Sequence, residues 1–370
     1  MFIHRAHLAT KTLRILIVLA VASFALTGCG PVRNVGSVQG TITDAVTLLP
    51  ISGAKVTLIN AAILTATTGT DGSYRFPSVA AGTYEVKVTK AGYVDRLGDG
   101  VTVTKGATTT ASMNMIMPAD LEVLLYDDSI LDNHFAAEAL DALGITFTQV
   151  SDSVGLVDEM TNHPWRLIVA DHCNYPSSKA MLDCLSDYVD MGGHLAISSW
   201  DPTVSASSRA HALWEKLGAD FSGFADGDVL AEDPFTVFRW AADHVIFRSP
   251  NAVTNISVNY VSRYNFEGVV AHESAGGMAI AGITPAYQAG QGLVFVTDSN
   301  LTVFNSFLLD CVQDGAEPGD DTDSDADGVA DAEELWQNEI VYLLSWTDPA
   351  AIQCPPIGPA SLSAGGRNSK

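Results

Sequence analysis

From Asp323 the chain reads Asp-Ser-Asp-Ala-Asp-Gly-Val-Ala-Asp-Ala-Glu-Glu, which sets acidic residues at the ligand positions one, three, five, nine and twelve of a twelve-residue stretch, with a further acid at eleven. With Asp323, Asp325 and Asp327 on alternate positions, a tightly turning backbone can aim three carboxylates at one centre. Gly328 supplies the sharp turn at the sixth position, and Val329 offers its main-chain carbonyl at the seventh. Asp331 coordinates directly or through water, and Glu334 closes the far side with both oxygens. The chemistry this spacing predicts is capture of a hard divalent cation, calcium, by oxygen ligands alone. Without the cation the crowded carboxylates repel one another. The competing reading is an acidic linker, against which the placement of the glycine and the closing glutamate argues.

The wider stretch 320–334 resembles a bacterial thrombospondin type 3 repeat or a dockerin-type half-loop. That resemblance implies calcium as a structural element and not as a sensor. A paired EF-hand would need a helix running straight into the first position. Here Gly315-Ala316-Glu317-Pro318-Gly319 interrupts any such helix.

The loop falls near the end of a long segment, 120–347, in which strands and helices alternate. Leu121–Tyr126, Thr146–Val150, Leu167–Ala170 and His194–Ser198 read as strands, followed by Val269–Ala271, Met278–Ile283 and Gly292–Thr297. The run Leu167–Ala170 is continuous and branched, as a strand buried on both faces should be. Helical spacing marks His134–Leu143, Ser207–Leu217, Val303–Val312 and Glu333–Trp346. A further helix is capped by Ser177 or Ser178 and ends at Gly192-Gly193. This alternation predicts an open, mostly parallel sheet.

Several segments of this unit, RLIVADHCNY, LSDYVDMGGHLAISSWDP, ADHVIFRSPNAVTNI, QGLVFVTDSN and the closing NEIVYLLSW, are similar to the class I glutamine amidotransferase-like family. The resemblance implies a flavodoxin-like α/β domain with the calcium loop as an insert at 320–334. Active members of that family place a cysteine on a sharp turn after the strand that Leu195–Ser198 matches. This chain has Ser198-Ser199-Trp200-Asp201 there, without cysteine or glycine, and lacks the family's downstream His-x-Glu pair. A serine nucleophile would need a base within hydrogen-bond reach and an oxyanion hole. His211, His244 and His272 are the available bases, and Cys173 in Asp-His-Cys-Asn is a poor substitute nucleophile. The expectation is a domain without catalysis; the alternative is a hydrolase using Ser198 or Ser199. Asp127-Asp128, Asp171-His172, Asp201 and Asp298 fall at predicted strand ends, where open α/β sheets bind ligands, so this rim is the candidate cleft. The other reading makes them helix-capping and loop acids.

Residues 35–117 alternate with period two between turn signals such as Asp71-Gly72 and Ala81-Gly82. About seven short strands in this span predict a sandwich. The stretches GSVQGTITDAVTLLPISGAKVTLIN and TGTDGSYRFPSVAAGTYEVKVTKAGY resemble a carboxypeptidase regulatory-like domain, of the transthyretin-like, carbohydrate-binding-like fold group. The resemblance implies a non-catalytic spacer or adhesive module. Glycan binding would follow only by fold analogy, and Tyr74, Tyr84 and Tyr93 are the unit's tyrosines, with Tyr84 read as core. The predicted fold class is therefore multidomain: an N-terminal all-β sandwich followed by a flavodoxin-like α/β domain.

The first 28 residues carry Arg5, Lys11 and Arg14 and no acid, so losing them takes the formal charge from −24 to −27. A surface that negative argues against nucleic acid and against anionic lipid headgroups. A basic start, the short apolar run Ile15–Ala25 and then Leu26-Thr27-Gly28-Cys29 read as a secretory signal over 1–28. The last four resemble the lipobox of bacterial lipoproteins. The resemblance implies cleavage before Cys29, acylation of that residue and, with Gly30 rather than Asp next, anchoring to the outer membrane through a linker at 29–34. Export would put Cys173, Cys184, Cys311 and Cys354 where disulfides persist. Four cysteines allow three pairings. Cys311–Cys354 with Cys173–Cys184 is the preferred set, and buried thiols are the alternative. The tail 348–370, rich in Pro, Gly, Ser and Ala, is expected to be disordered unless Cys354 ties it down. The function expected is a lipid-anchored, non-catalytic binding or structural protein of the envelope, with glycan or protein partners.

Overall fold

Alternating buried and exposed side chains build the N-terminal domain. The computed structural model describes residues 34–355 except 46, 61–62, 116, 118–120, 130–132, 175, 226–227, 231–233, 259–267, 300, 310–311, 313–321 and 346–350. The expected signal, Cys29, Cys311 and the tail beyond 355 lie outside the described residues. Eight strands are present: β1 (Val35–Asp44), β2 (Lys55–Ile59), β3 (Ile63–Thr67), β4 (Ser73–Ala80), β5 (Gly82–Thr89), β6 (Arg96–Val103), β7 (Thr108–Thr110) and β8 (Met113–Met115). They make two sheets, one with β4-β1-β7 and β8 also on β1, the other β3-β2-β5-β6. Val38, Val56, Leu58, Val86 and Val88 meet between them in one apolar core. Tyr84 is buried as expected, and so is Tyr74, whose hydroxyl donates to the Ala111 carbonyl. Neither is therefore an exposed aromatic platform.

The second domain is built on a nine-stranded sheet with helices on both faces, and two two-stranded pairs, Ala219–Asp220 with His272–Glu273 and Val229–Leu230 with Gly268–Val269, lie outside it. The strands of the sheet are β9 (Val123–Asp127), β10 (Phe147–Val150), β11 (Leu167–His172), β12 (His194–Ser199), β13 (Phe235–Arg239), β14 (Ile256–Val258), β15 (Gly277–Gly282), β16 (Gly292–Thr297) and β17 (Thr302–Asn305). They lie in the order β10-β9-β11-β12-β17-β16-β15-β13-β14. The first five run parallel. Numbered by appearance they stand 2-1-3-4-5, the order of flavodoxin-like sheets. The remaining pairings are antiparallel, because short connections join β15 to β16 and β16 to β17 and turn the chain straight back. The sheet is thus mixed, not mostly parallel as expected. Every residue of β9, β11 and β12 is buried, as central strands covered on both faces must be.

Helices α1 (Phe135–Ala142) and α7 (Asp331–Ser345) cover one face, and α2 (Ser153–Asn162), α3 (Lys179–Asp190) and α6 (Ala212–Lys216) the other. Short helices α4 (Asp201–Val204) and α5 (Ala206–Arg209) follow β12. The cap at α3 is Ser178, whose Oγ accepts from the Met181 amide at 3.1 Å. Sequence reading missed α2, although Asp152 caps it by accepting from Val154 and Gly155. The expected helix Val303–Val312 is instead the strand β17 at its start. A short apolar run is ambiguous between the two states, and here β-branched residues fill the slot between β12 and β16. The expected helix Ser207–Leu217 is broken by extended His211, whose Nδ1 caps α6 by accepting from the Leu213 amide. Near the end of the described residues Ile352 exchanges two backbone hydrogen bonds with Trp165, and the buried Cys354 is held beside it, the condition under which the sequence reading has this stretch tied down. The two domains touch through the Arg248–Glu85 ion pair at 2.5 Å.

Candidate functional site

The acidic loop leads directly into α7, and that continuity sets its geometry. One carboxylate oxygen from each of Asp323, Asp325 and Asp327 lies within 4.8 Å of the others. Ala326 and Gly328 have φ of 60° and 95°, which curls the chain around the first carboxylate. Gly328 N then donates to Asp323 Oδ2 at 2.9 Å and Asp327 N to Asp323 Oδ1 at 3.2 Å. Val329 N donates to Asp327 Oδ1 at 2.9 Å. Asp331 and Glu334 occupy the first turn of α7 and are 3% and 4% exposed. The Asp331 carboxylate takes hydrogen bonds from Ser324 N at 3.0 Å and Ser324 Oγ at 2.6 Å. Burial raises Glu334 to about 7, and the charges of Asp325, Asp327, Asp331 and Asp323 add to the effect. Burial likewise raises Asp331, partly offset by Ser324. The three clustered carboxylates, two of them exposed, and the buried Asp331 and Glu334 beside them offer only oxygen donors, a hard set that fits calcium better than zinc or copper.

Among the described residues, the rim at the C-terminal ends of the parallel strands is filled by buried, hydrogen-bonded side chains. His172, at the end of β11, is fully buried. Its Nδ1 lies 3.1 Å from Asp128 Oδ2, and its Nε2 lies 2.9 Å from Ser177 Oγ and 3.4 Å from Asp201 Oδ2. Asp128 Oδ1 also accepts from the amides of Cys173 at 2.8 Å and Asn174 at 3.2 Å, and its Oδ2 from the Tyr126 hydroxyl at 2.9 Å. Ser177 N donates to Asp201 Oδ1 at 3.0 Å. Burial, the largest influence on His172, pulls its pKa down. The hydrogen bonds and charges of Asp128 and Asp201 outweigh it and lift the imidazole to about 9. Asp128 is lowered despite its burial, chiefly by the hydrogen bond and charge of His172. The upward direction at His172 favours the imidazolium, and the ring, with Nδ1 facing Asp128 and Nε2 facing Ser177 and Asp201, pins together the ends of β9, β11 and β12. This lies at the β9–β11 switch point, where flavodoxin-like sheets bind ligands.

The other sequence candidates are scattered. Ser198 Oγ donates to the Phe307 carbonyl at 2.9 Å and accepts from Leu309 N at 3.2 Å. Ser199 Oγ accepts from Asp201 N at 3.2 Å. Both serines are completely buried. His211 Nε2 lies 3.1 Å from Asp183 Oδ1. His244 caps a short turn by accepting from Ile246 N, and His272 is exposed on a two-residue strand. Asp127 is held by His134 at 2.7 Å and Gln149 at 3.2 Å. Asp298 follows β16, which runs opposite to the parallel strands, so it falls at the other end of the strands, away from the rim. A cavity of about 380 Å³ is lined by Arg209, His211, Trp214, Asp220, Phe221 and Phe224 among others, and none of the rim acids is in its lining. Sequence reading had His172 on the rim but not among its bases; the one signal was the pair of acids, Asp128 and Asp201, at neighbouring strand ends.

Comparison with known proteins places the sandwich more firmly than the rest. No curated protein matches the chain. Among solved structures it is similar to the Bacillus anthracis TIE protein, at 18% identity over 26% of this chain and 20% of that one, with a TM-score of 0.21. It is similar to a Bacteroides uniformis protein assigned to carbohydrate binding, at 20% identity over 23% and 43%, TM-score 0.21. A Thermoplasma acidophilum protein assigned to GMP synthase is similar at 13% identity over 60% and 94%, TM-score 0.36. The chain thus spans less than half the length of the first two. Residues 37–116, nearly the whole sandwich, match the carboxypeptidase regulatory-like domain.

Proposed function

We propose that this chain is a non-catalytic binding or structural protein of the cell envelope, anchored by lipid on Cys29. In this reading the carboxypeptidase regulatory-like sandwich is the spacer, and the α/β domain is the part presented to a glycan or protein partner. The observation that carries the non-catalytic reading is His172, held as an imidazolium between Asp128 and Asp201. A general base must have a free lone pair near the working pH, and the two carboxylates flanking this histidine favour its protonated form instead. The test is a panel of ester and amide substrates given to the full chain at neutral pH. Turnover that disappears in Ser177→Ala or Ser199→Ala overturns the reading.

Calcium completes the proposal. Asp323, Asp325, Asp327, Asp331, Glu334 and the Val329 carbonyl would hold the ion, whose charge would offset the carboxylates crowded at the start of α7. A ligand bound only by the folded form raises the melting temperature. Millimolar calcium should therefore raise it relative to chelator, magnesium should do less, and Glu334→Gln should blunt the shift. No shift in the wild type removes calcium from the reading.

One observation favours a second reading. Asp128, His172 and Ser177 stand in a row at triad-like distances. A hydrolase built on them would have Ser177 in place of Ser198 or Ser199. It would act only as His172 loses its proton, toward pH 9 and above.

A further inference from the structure

Cys184 and Cys354 are 170 positions apart in sequence and adjacent in space. Cys184 lies in α3 and Cys354 in the short segment after α7, and they are 3% and 2% exposed. The Cys354 thiol donates to the main-chain carbonyl of Cys184 at 3.2 Å. Three contacts hold the segment in place. Ile352 and Trp165 exchange backbone hydrogen bonds of 2.8 and 2.9 Å, Cys354 N donates to Met160 O at 2.8 Å, and Gln353 Nε2 donates to Thr161 O at 2.6 Å. Both sulfurs belong to the apolar cluster on the α2–α3 face, whereas Cys173 belongs to the cluster on the opposite face. The pairing Cys173–Cys184 preferred from sequence would have to pass through the sheet.

We propose that Cys184 and Cys354 form a disulfide in the mature protein. The proposal rests on the exported reading above, since such bonds persist in oxidising compartments. One cysteine thiolate attacks a sulfur of an external disulfide, protein or glutathione, expelling one thiolate. The second cysteine then attacks the resulting mixed disulfide and expels the other. Two protons and two electrons leave the pair, one sulfur–sulfur bond forms, and the external disulfide is reduced to two thiols. Hydrogen bonding to the Cys184 thiol, and burial after it, raise Cys354 well above the ordinary thiol range. Both sulfurs are almost fully buried in the folded chain and so shielded from an external disulfide, and the bond forms while the chain folds. Once formed it closes a loop that contains β12 to β17, the acidic loop and α7.

The test is peptide mapping of the full chain, extracted from the producing cells into alkylating denaturant without reductant. A Cys184–Cys354 linked peptide is expected, and mild reduction should lower the melting temperature by roughly 10 °C. Cys184→Ala and Cys354→Ala should each reproduce that loss. A second arm refolds the reduced chain in a glutathione redox buffer, where the same link should form whatever the compartment. Both cysteines alkylated after redox refolding, or either linked to Cys311 or Cys173, overturns the pairing. The link formed in vitro but absent from cells overturns the exported reading and the disulfide's occurrence in the mature protein, while the proximity itself stands.

Discussion

The side-chain amide of Asn305 lies 3.0 Å from both carboxylate oxygens of Glu339, and both residues are fully buried. Asn305 ends β17 and Glu339 sits in the middle of α7, so the contact seats the helix that follows the acidic loop. Burial pushes the Glu339 carboxyl up to about 8, with the Asn305 hydrogen bonds pulling the other way. Among the described residues Asn305 Oδ1 has no hydrogen-bond partner.

A pH dependence follows from that carboxyl. In the unfolded chain it titrates near 4.5, so between that pH and about 8 the folded form holds a proton that the unfolded form has lost. The stabilisation is fully present below the unfolded value and falls as pH rises toward 8, by about 1.4 kcal/mol per pH unit. Glu339→Gln should flatten this part of the profile. The variant should be at least as stable as wild type at pH 8, since its amide can donate to Asn305 Oδ1. Urea melts from pH 5 to 9 check this; a wild-type stability that climbs with pH, unchanged by the substitution, contradicts it.

His172 governs the adjoining window. Its imidazole, raised from 6.5 to about 9, contributes stability that is whole below 6.5 and lost as pH rises through 9. His172→Gln should cost roughly 3–5 kcal/mol at pH 6, because it leaves two buried carboxylates without their cation. The direct check is the imidazole titration by NMR. A midpoint near 6 would refute the clamp and return this histidine to the list of bases.

These two contacts also mark how much the sequence could reveal. The ligands of the acidic loop lie within twelve residues, so their spacing is local and readable, and so is the switch between the two domains. The clamp is not local: Asp128 and His172 are 44 positions apart and meet only through the register of β9 on β11. Cys184 and Cys354 depend likewise on a strand-like bridge far from either. Phe304, read as helical, stacks on Trp214 and Phe295 within β17, and tertiary burial overrode the local pattern there. In the antiparallel half, sequence reading finds β15 and β16 as strands but misses β13 and β14, since a short strand such as β13 carries mixed burial and no clean period.

Ser198 and Ser199 should differ in stability and agree in having no catalytic part. Ser198→Ala removes a hydroxyl that both donates and accepts inside the core, leaving the Phe307 carbonyl and Leu309 amide unmatched. A loss of about 1–3 kcal/mol is expected. Ser199→Ala removes one acceptor for the Asp201 amide and should cost less. Chemical denaturation measures both; an equal or reversed order would mean that the strand end is not packed as described.

The last prediction concerns the turn of the acidic loop, where two residues share an unusual backbone and differ in side chain. At Gly328, with φ of 95°, an added Cβ would meet nothing within 4 Å, so Gly328→Ala tests backbone strain alone. The expected cost of forcing an L-residue there is roughly 1–2 kcal/mol. If the loop closes around calcium, that cost should appear as weaker binding, about tenfold for each 1.4 kcal/mol. Ala326 already occupies the left-handed region, at φ of 60°. Ala326→Gly relieves that strain, and the relief offsets the extra freedom glycine gains in the unfolded chain. Calcium titrations should therefore show a loss for Gly328→Ala and none for Ala326→Gly. Two variants with the same affinity as wild type would mean that the loop does not adopt this turn when it binds, and the proposed ligand set would fall with it.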